Sequence, residues 1–155
     1  MIKLTLAESG ELLSAARELF TEYASSLNFS LCFQNFDKEL AELPGEYASP
    51  DGRLIIAMNK TKITGCIALR KFSDNTCEMK RLYVRPEFRG KGIGKKLTET
   101  VLKEAKKIGY VYMRLDTVPS MKEAIALYRS MGFYEIKPYR ENPVQGAIYM
   151  QLILK

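Results

Sequence analysis

The segment Arg89-Gly90-Lys91-Gly92-Ile93-Gly94 joins a predicted strand to a predicted helix and carries the strongest functional signal in the chain. Its glycines let a ligand approach the backbone closely and leave the amide N–H groups accessible. The N-terminus of the following helix adds the positive end of the helix dipole, which favours anions. Formal positive charge comes from Arg89, Lys91, Lys95 and Lys96. The segment therefore predicts a binding site for a pyrophosphate group.

Two well-known phosphate loops do not fit this spacing. A P-loop has glycine, four residues, then Gly-Lys-Ser/Thr, but Gly94-Lys95 is followed by Lys96, and Arg89 stands where the first glycine belongs. A dinucleotide-binding loop has Gly-x-Gly-x-x-Gly, and here the third glycine comes one residue early. Both kinds of nucleotide site are therefore excluded.

Apolar spacing outward from this segment predicts an α/β protein. After the loop, Ile93, Leu97 and Val101 begin an apolar stripe with helical spacing. The predicted element order is β-α-α-β-β-β-α-β-α-β-β, with about seven strands and four helices. Short turns between the early strands require antiparallel pairing, whereas the strand–helix–strand unit around the loop predicts a parallel crossover. We expect a mixed, mostly antiparallel central sheet in a single domain covering residues 1–155.

The strand before the loop, predicted at about residues 76–85, changes its apolar phase. Cys77 and Met79 share one face, whereas Leu82 and Val84 share the other. One extra residue near Lys80-Arg81 would cause this slip and bend the strand away from its neighbour. The alternative is a regular strand that is buried on both faces.

Two motifs resemble the GNAT N-acetyltransferase family. Arg-x-x-Gly-x-Gly at residues 89–94, preceded by Leu82-Tyr83-Val84-Arg85-Pro86, is similar to its acyl-CoA motif. Residues 124–133, Ala-Ile-Ala-Leu-Tyr-Arg-Ser-Met-Gly-Phe, look like its "A-x-x-L-Y-x-x-x-G-F" segment. The stronger match covers about residues 78–134. The resemblance implies an acetyl-CoA-dependent N-acetyltransferase that acetylates a primary amine of a small molecule or a peptide.

The resemblance also implies where the cofactor binds. Strand 76–85 and the strand at 110–116 should splay apart, with pantetheine lying between them against the backbone of Leu82 and Val84. The pyrophosphate should sit on the amides of residues 90–95. The implied cofactor-binding residues are Leu82, Tyr83, Val84, Arg89, Gly90, Lys91, Gly92, Ile93, Gly94 and Lys95.

Two residues are candidates for proton transfer during acetylation. A protonated amine has no lone pair, and at a lysine-like pKa of about 10.4 only roughly one molecule in 1000 is neutral at pH 7. We therefore expect a proton acceptor, for which Glu78 is the candidate; the alternative is a surface carboxylate paired with Lys80. The resemblance implies that Tyr128 is the general acid that protonates the departing thiolate, and the alternative is a packing role.

One position departs from the family pattern, because Met121 stands where an asparagine is common. In this chain, the hydrogen bond that the asparagine would make to the cofactor arm would be missing, or would come from Thr117 or Ser120. The acceptor pocket should use the first two helices and the last two strands. Its candidates are Tyr23, Phe29, Phe33, Tyr47, Tyr139, Arg140, Asn142 and Tyr149.

Composition limits the kinds of catalytic site, metal site and cellular location that remain possible. The 155 residues include no histidine, which excludes a Ser-His or Cys-His dyad within the chain. Three cysteines without CxxC spacing predict no metal site and suggest reduced thiols. With no apolar run long enough to span a membrane and no signal-peptide pattern, we expect a cytoplasmic protein that does not bind membranes. A homodimer is left open.

The net charge of +6 suits an anionic cofactor, an acidic substrate or nucleic acid. Nucleic-acid binding is disfavoured because the basic residues form no long run and no known nucleic-acid motif is present. A CoA-binding regulatory module without turnover remains the main alternative to an enzyme.

Overall fold

The computed structural model describes residues 2–27 and 35–154. Its strands are β1 (Ile2–Leu6), β2 (Arg53–Asn59), β3 (Lys62–Ser73), β4 (Thr76–Val84), β5 (Tyr112–Thr117), β6 (Tyr134–Ile136) and β7 (Ile148–Ile153). Its α-helices are α1 (Gly10–Ser26), α2 (Phe36–Glu42), α3 (Ile93–Ile108) and α4 (Lys122–Ser130). This order confirms the predicted α/β fold class. None of the described helices combines the length and apolarity that crossing a bilayer requires.

The seven strands form one sheet in the order β1-β2-β3-β4-β5-β7-β6. Only the central neighbours β4 and β5 run parallel, because α3 carries the chain back between them. Every other neighbouring pair is antiparallel. The sheet is therefore mixed and mostly antiparallel, as predicted.

Each face of the sheet has its own hydrophobic core. The predicted stripe of α3 is buried on one face, where Ile93, Leu97 and Val101 pack with residues of β2 to β5 and with Tyr128 of α4. On the other face, α1 and α2 cover β2, β3 and part of β4 through a second cluster that includes Phe20. The two faces of β4 therefore pack against different helices.

Strand β4 contains the predicted bulge. Cys66 pairs with Tyr83 and Ala68 pairs with Lys80, so two residues of β4 face one residue of β3. One of the two, Arg81, adopts a left-handed backbone conformation with φ of +61°. The extra residue lies within the Lys80-Arg81 region that the phase slip predicted, and it shifts the strand's register.

Beside the bulge, β4 separates from β5. Pairing between them is confined to residues 76–78 of β4 and 112–114 of β5. Beyond Glu78, the described residues form no further ladder pair between β4 and β5. This is the splayed strand pair that the fold prediction required.

Candidate active site

A cleft of about 800 Å³ opens where β4 and β5 part. Residues 79–84 of β4 form one wall, and residues 115–117 of β5 form the other. The glycine segment closes one end, the start of α4 lies alongside, and residues 23, 26 and 27 reach in from α1. The bulge and the splay thus create this concave surface.

The glycine segment forms a positively polarised cradle at the wide end. Gly90 and Gly92 both have φ of +80°, and a Cβ built on either would meet nothing within 4 Å. The first backbone hydrogen bond of α3 runs from the amide of Lys96 to the carbonyl of Gly92, so the amides of the first turn precede the helical ladder. No acidic residue lies in that turn. The cradle therefore suits an anionic group.

The cationic side chains of the segment have distinct placements. The Nε of Arg89 donates a 2.8 Å hydrogen bond to the Val84 carbonyl, and its guanidinium lies 5.7 Å from the centre of the Tyr83 ring. The ammonium of Lys91 lies 5.6 Å from the centre of the Phe88 ring. Arg89 thus fastens the loop to the end of β4 while keeping its charge beside the cradle.

Polar groups suited to an extended ligand lie along the walls. The amide of Arg85 donates to Thr64 of β3, so alternation along the strand turns the backbone groups of Leu82 and Val84 toward the cleft. Across the gap, the buried hydroxyl of Thr117 has no hydrogen-bond partner among the described residues. Thr117, named from the sequence as a possible substitute donor, is thus placed to bond something that enters the cleft.

Tyr128 reaches the cleft from α4. Its side chain is buried, and its ring packs 5.7 Å from the ring of Phe133. Burial raises its pKa well above the ordinary value, so its hydroxyl keeps its proton at neutral pH. Tyr128 packs in the core and also lines the cleft, a position compatible with either of the two roles considered for it. Met121 and Ser120 lie on the same wall.

Glu78 is in the last ladder pair between β4 and β5, next to the point where the strands part, which we call the apex. It does not line the cleft. Its carboxylate is fully buried and forms ion pairs with Arg70 at 2.8 Å and with Arg140 at 2.6 Å. The Tyr139 hydroxyl donates a further 2.9 Å bond. Burial alone raises the Glu78 pKa, but the charges of Lys80, Arg70 and Arg140 outweigh burial and lower it. These contacts suit Glu78 poorly to the predicted base role, and its burial excludes a surface carboxylate.

Sequence reasoning assigned no site role to Lys80 and Asp116, which are among the charged residues that line the cleft. Lys80 is only 6% exposed, lines β4 at the apex and has a pKa lowered to about 7, mainly by burial. Asp116 lines the facing wall on β5 and accepts a 3.2 Å hydrogen bond from Asn142. The predicted bulge at Lys80-Arg81 was the available signal, because a residue beside such a bulge lies where the strands part.

The predicted acceptor-site residues divide into four groups. Tyr23 lines the cleft, whereas Tyr47 is buried against α1 with its ring 6.1 Å from that of Phe20 and belongs to the core. Phe29 and Phe33 lie outside the described residues.

The fourth group, Tyr139, Arg140, Asn142 and Tyr149, lies in the segment between β6 and β7 and in β7 itself. Tyr139 and Arg140 contact Glu78, and Asn142 contacts Asp116. The Tyr149 hydroxyl donates to the carbonyl of Arg140 at 2.8 Å, which fastens this loop to β7. Tyr139, Arg140 and Asn142 thus contact Glu78 and Asp116, the two carboxylates nearest the point where β4 and β5 part.

Comparisons with known proteins agree on one family. The Acetyltransferase (GNAT) family profile matches residues 13–133. An uncharacterized N-acetyltransferase of Schizosaccharomyces pombe is 40% identical over 136 residues, which cover 86% of this chain and 83% of that protein.

Solved structures share the fold. A GNAT family acetyltransferase from Staphylococcus aureus superimposes with a TM-score of 0.81 at 23% identity, covering 100% of both chains. Another, from Elizabethkingia anophelis with acetyl-CoA bound, has a TM-score of 0.70 at 22% identity and covers 98% of this chain and 97% of that one. The cleft from Met79 to Tyr128 lies within the residues that match the family profile.

Proposed function

The chain belongs to the GNAT acetyltransferase family, and on that premise we propose that it transfers an acetyl group from acetyl-CoA to a primary amine of a small molecule or a peptide. The observation that carries this proposal is the cleft between β4 and β5, with a glycine cradle at its wide end and Tyr128 on its wall. The same cleft has space for an elongated cofactor and an acceptor.

The residues of the cleft fit the cofactor. Gly90 and Gly92 leave open space above exposed amides, which suits the pyrophosphate. The backbone groups of Leu82 and the amide of Val84 face the cleft and suit hydrogen bonds to the pantetheine amides. The Val84 carbonyl is not included, because it already accepts a bond from Arg89. The buried Thr117 hydroxyl suits the hydrogen bond to the cofactor arm that the thioether of Met121 cannot donate.

When bound, acetyl-CoA supplies the acetyl group as a thioester. Tyr128 holds the proton that the leaving thiolate needs, since its raised pKa keeps it protonated until a strong base forms beside it. Its buried ring packs against Phe133, and the residue lines the cleft. This supports the general-acid role for Tyr128.

A thiol-release assay tests the proposal. The purified chain is mixed with acetyl-CoA and a panel of polyamines, amino acids, aralkylamines and short peptides, and free CoA is followed with a chromogenic disulfide reagent. Release above the amine-free background, with an acetylated amine found by mass spectrometry, supports transfer. Binding of acetyl-CoA without release for any amine would support the non-catalytic CoA-binding module instead.

A further inference from the structure

Lys80 is a buried lysine in the wall of the reaction cleft. Lysine is rarely buried so deeply without a specific reason, because its ammonium is strongly hydrated. Met79, the residue before it, packs with the α3 core, so alternation turns Lys80 toward the opposite face, which α1 and α2 cover. The bulge at Arg81 follows immediately. Lys80 therefore stands at the point where β4 leaves β5.

Asp116 faces Lys80 across the cleft. The last parallel pair joins Glu78 with Arg114, so Lys80 and Asp116 are each two residues further along their strands and on the same face. Asn142 donates to Oδ2 of Asp116 and orients the carboxylate. A cation and an anion thus flank the apex of the splay.

Charged groups from several elements act on Lys80. Burial lowers its pKa most, the guanidinium groups of Arg81 and Arg70 lower it further, and the carboxylates of Glu78 and Asp116 oppose them. The resulting pKa of about 7 leaves neutral and protonated lysine in similar amounts at neutral pH. A general base works best when its pKa lies near the working pH. Other charged or titratable groups near this face include Tyr23, Glu39, Tyr47, Cys66, Tyr139 and Arg140.

We propose that Lys80 accepts the proton that the acceptor ammonium must lose before it attacks the thioester, and that Asp116 binds this ammonium. The inference rests on the proposed acetyl transfer and assigns its proton acceptor. It also accounts for Glu78, whose carboxylate is held by Arg70 and Arg140 and serves to build the apex.

The bonds and protons balance as follows. One proton of the acceptor ammonium moves to Nζ of Lys80, and the freed electron pair on nitrogen forms the C–N bond. The thioester C–S bond breaks with its electrons staying on sulfur, which takes the proton of the Tyr128 hydroxyl. The second proton that nitrogen loses on becoming an amide returns to Tyr128 through solvent. Lys80 then releases its own proton to solvent.

Two probe amines separate proton removal from a structural role. Benzylamine is protonated at neutral pH, whereas 2,2,2-trifluoroethylamine is largely neutral. In Lys80→Arg, which keeps a cation that stays protonated, we expect kcat/KM for benzylamine to fall about 10²-fold or more. The fall for trifluoroethylamine should be far smaller. Lys80→Met should give the same split, and an equal loss for both amines in either folded variant would overturn the proposal.

An NMR titration measures the pKa of Lys80 in the absence of any acceptor amine. The full chain is labelled at lysine Cε with ¹³C, and the signal missing from Lys80→Arg identifies Lys80. We expect its midpoint near pH 7, and a midpoint above about 9, close to that of an ordinary lysine, would overturn the proposal. If the unaltered chain released no thiol with any amine, acetyl transfer itself would fail, whatever the Lys80 midpoint.

Discussion

The Arg81 guanidinium and the Glu39 carboxylate form two parallel hydrogen bonds, 2.8 and 2.9 Å long, which tie the bulge of β4 to helix α2. The Arg81 guanidinium also lies 5.2 Å from the centre of the Phe36 ring. A left-handed conformation costs a residue other than glycine about 1–2 kcal/mol, so Arg81 needs such support to stay in it. The ion pair therefore stabilises the bulge that opens the cleft.

Replacing Glu39 by glutamine should destabilise the protein by about 3–5 kcal/mol, because it removes the carboxylate charge that pairs with the buried Arg81 guanidinium. Glu42→Gln on the same helix is the matched control, since Glu42 is exposed, and it should change stability by less than about 0.5 kcal/mol. Urea unfolding followed by circular dichroism measures both. Equal stability of the two variants would contradict the role of the pair.

Gly92→Ala should weaken acetyl-CoA binding about tenfold, because its Cβ would occupy space in the phosphate cradle. Gly109→Ala provides the control at the other end of α3, where φ is also positive and a Cβ also meets nothing within 4 Å. Both variants should lose about 1–2 kcal/mol of stability through backbone strain. Calorimetric titration with acetyl-CoA should separate them, and a similar loss of affinity in both would argue against the cradle.

The parts of the fold that were predictable are those set by local spacing. The phase slip between Met79 and Leu82 predicted the bulge, and the glycine spacing predicted the turn into α3. The contacts that assign chemistry join residues far apart in sequence. Sequence alone makes Glu78 a candidate base, because nothing near it in sequence reveals that Arg70 and Arg140 hold its carboxylate. Such pairs are created by packing, which local patterns do not encode.

Tyr128→Phe should lower kcat about tenfold or more and leave the acetyl-CoA affinity nearly unchanged, because only the hydroxyl proton is removed. The ring, which packs against Phe133, is retained. Tyr134→Phe is the control, since Tyr134 is exposed on β6 and its hydroxyl bonds to Gln151 outside the cleft. Steady-state thiol release measures both variants. An unchanged kcat in Tyr128→Phe would remove this hydroxyl from the mechanism.

The stability of the protein should depend on pH through Lys80. Its folded pKa of about 7 lies below the unfolded value of about 10.4, so between these values the unfolded chain binds more protons. The free energy of unfolding attributable to Lys80 should therefore rise with pH in this window, by at most about 1.4 kcal/mol per pH unit, and level off on either side. Because methionine has no ammonium to desolvate, Lys80→Met should be most favoured over the unaltered chain below about pH 7, and that advantage should shrink as pH rises toward 10. Lys103→Met, at an exposed position of α3, is the control for the substitution itself. Urea unfolding of the three proteins across this window measures the differences, and a Lys80→Met difference that is independent of pH would show that Lys80 is not buried in its neutral form.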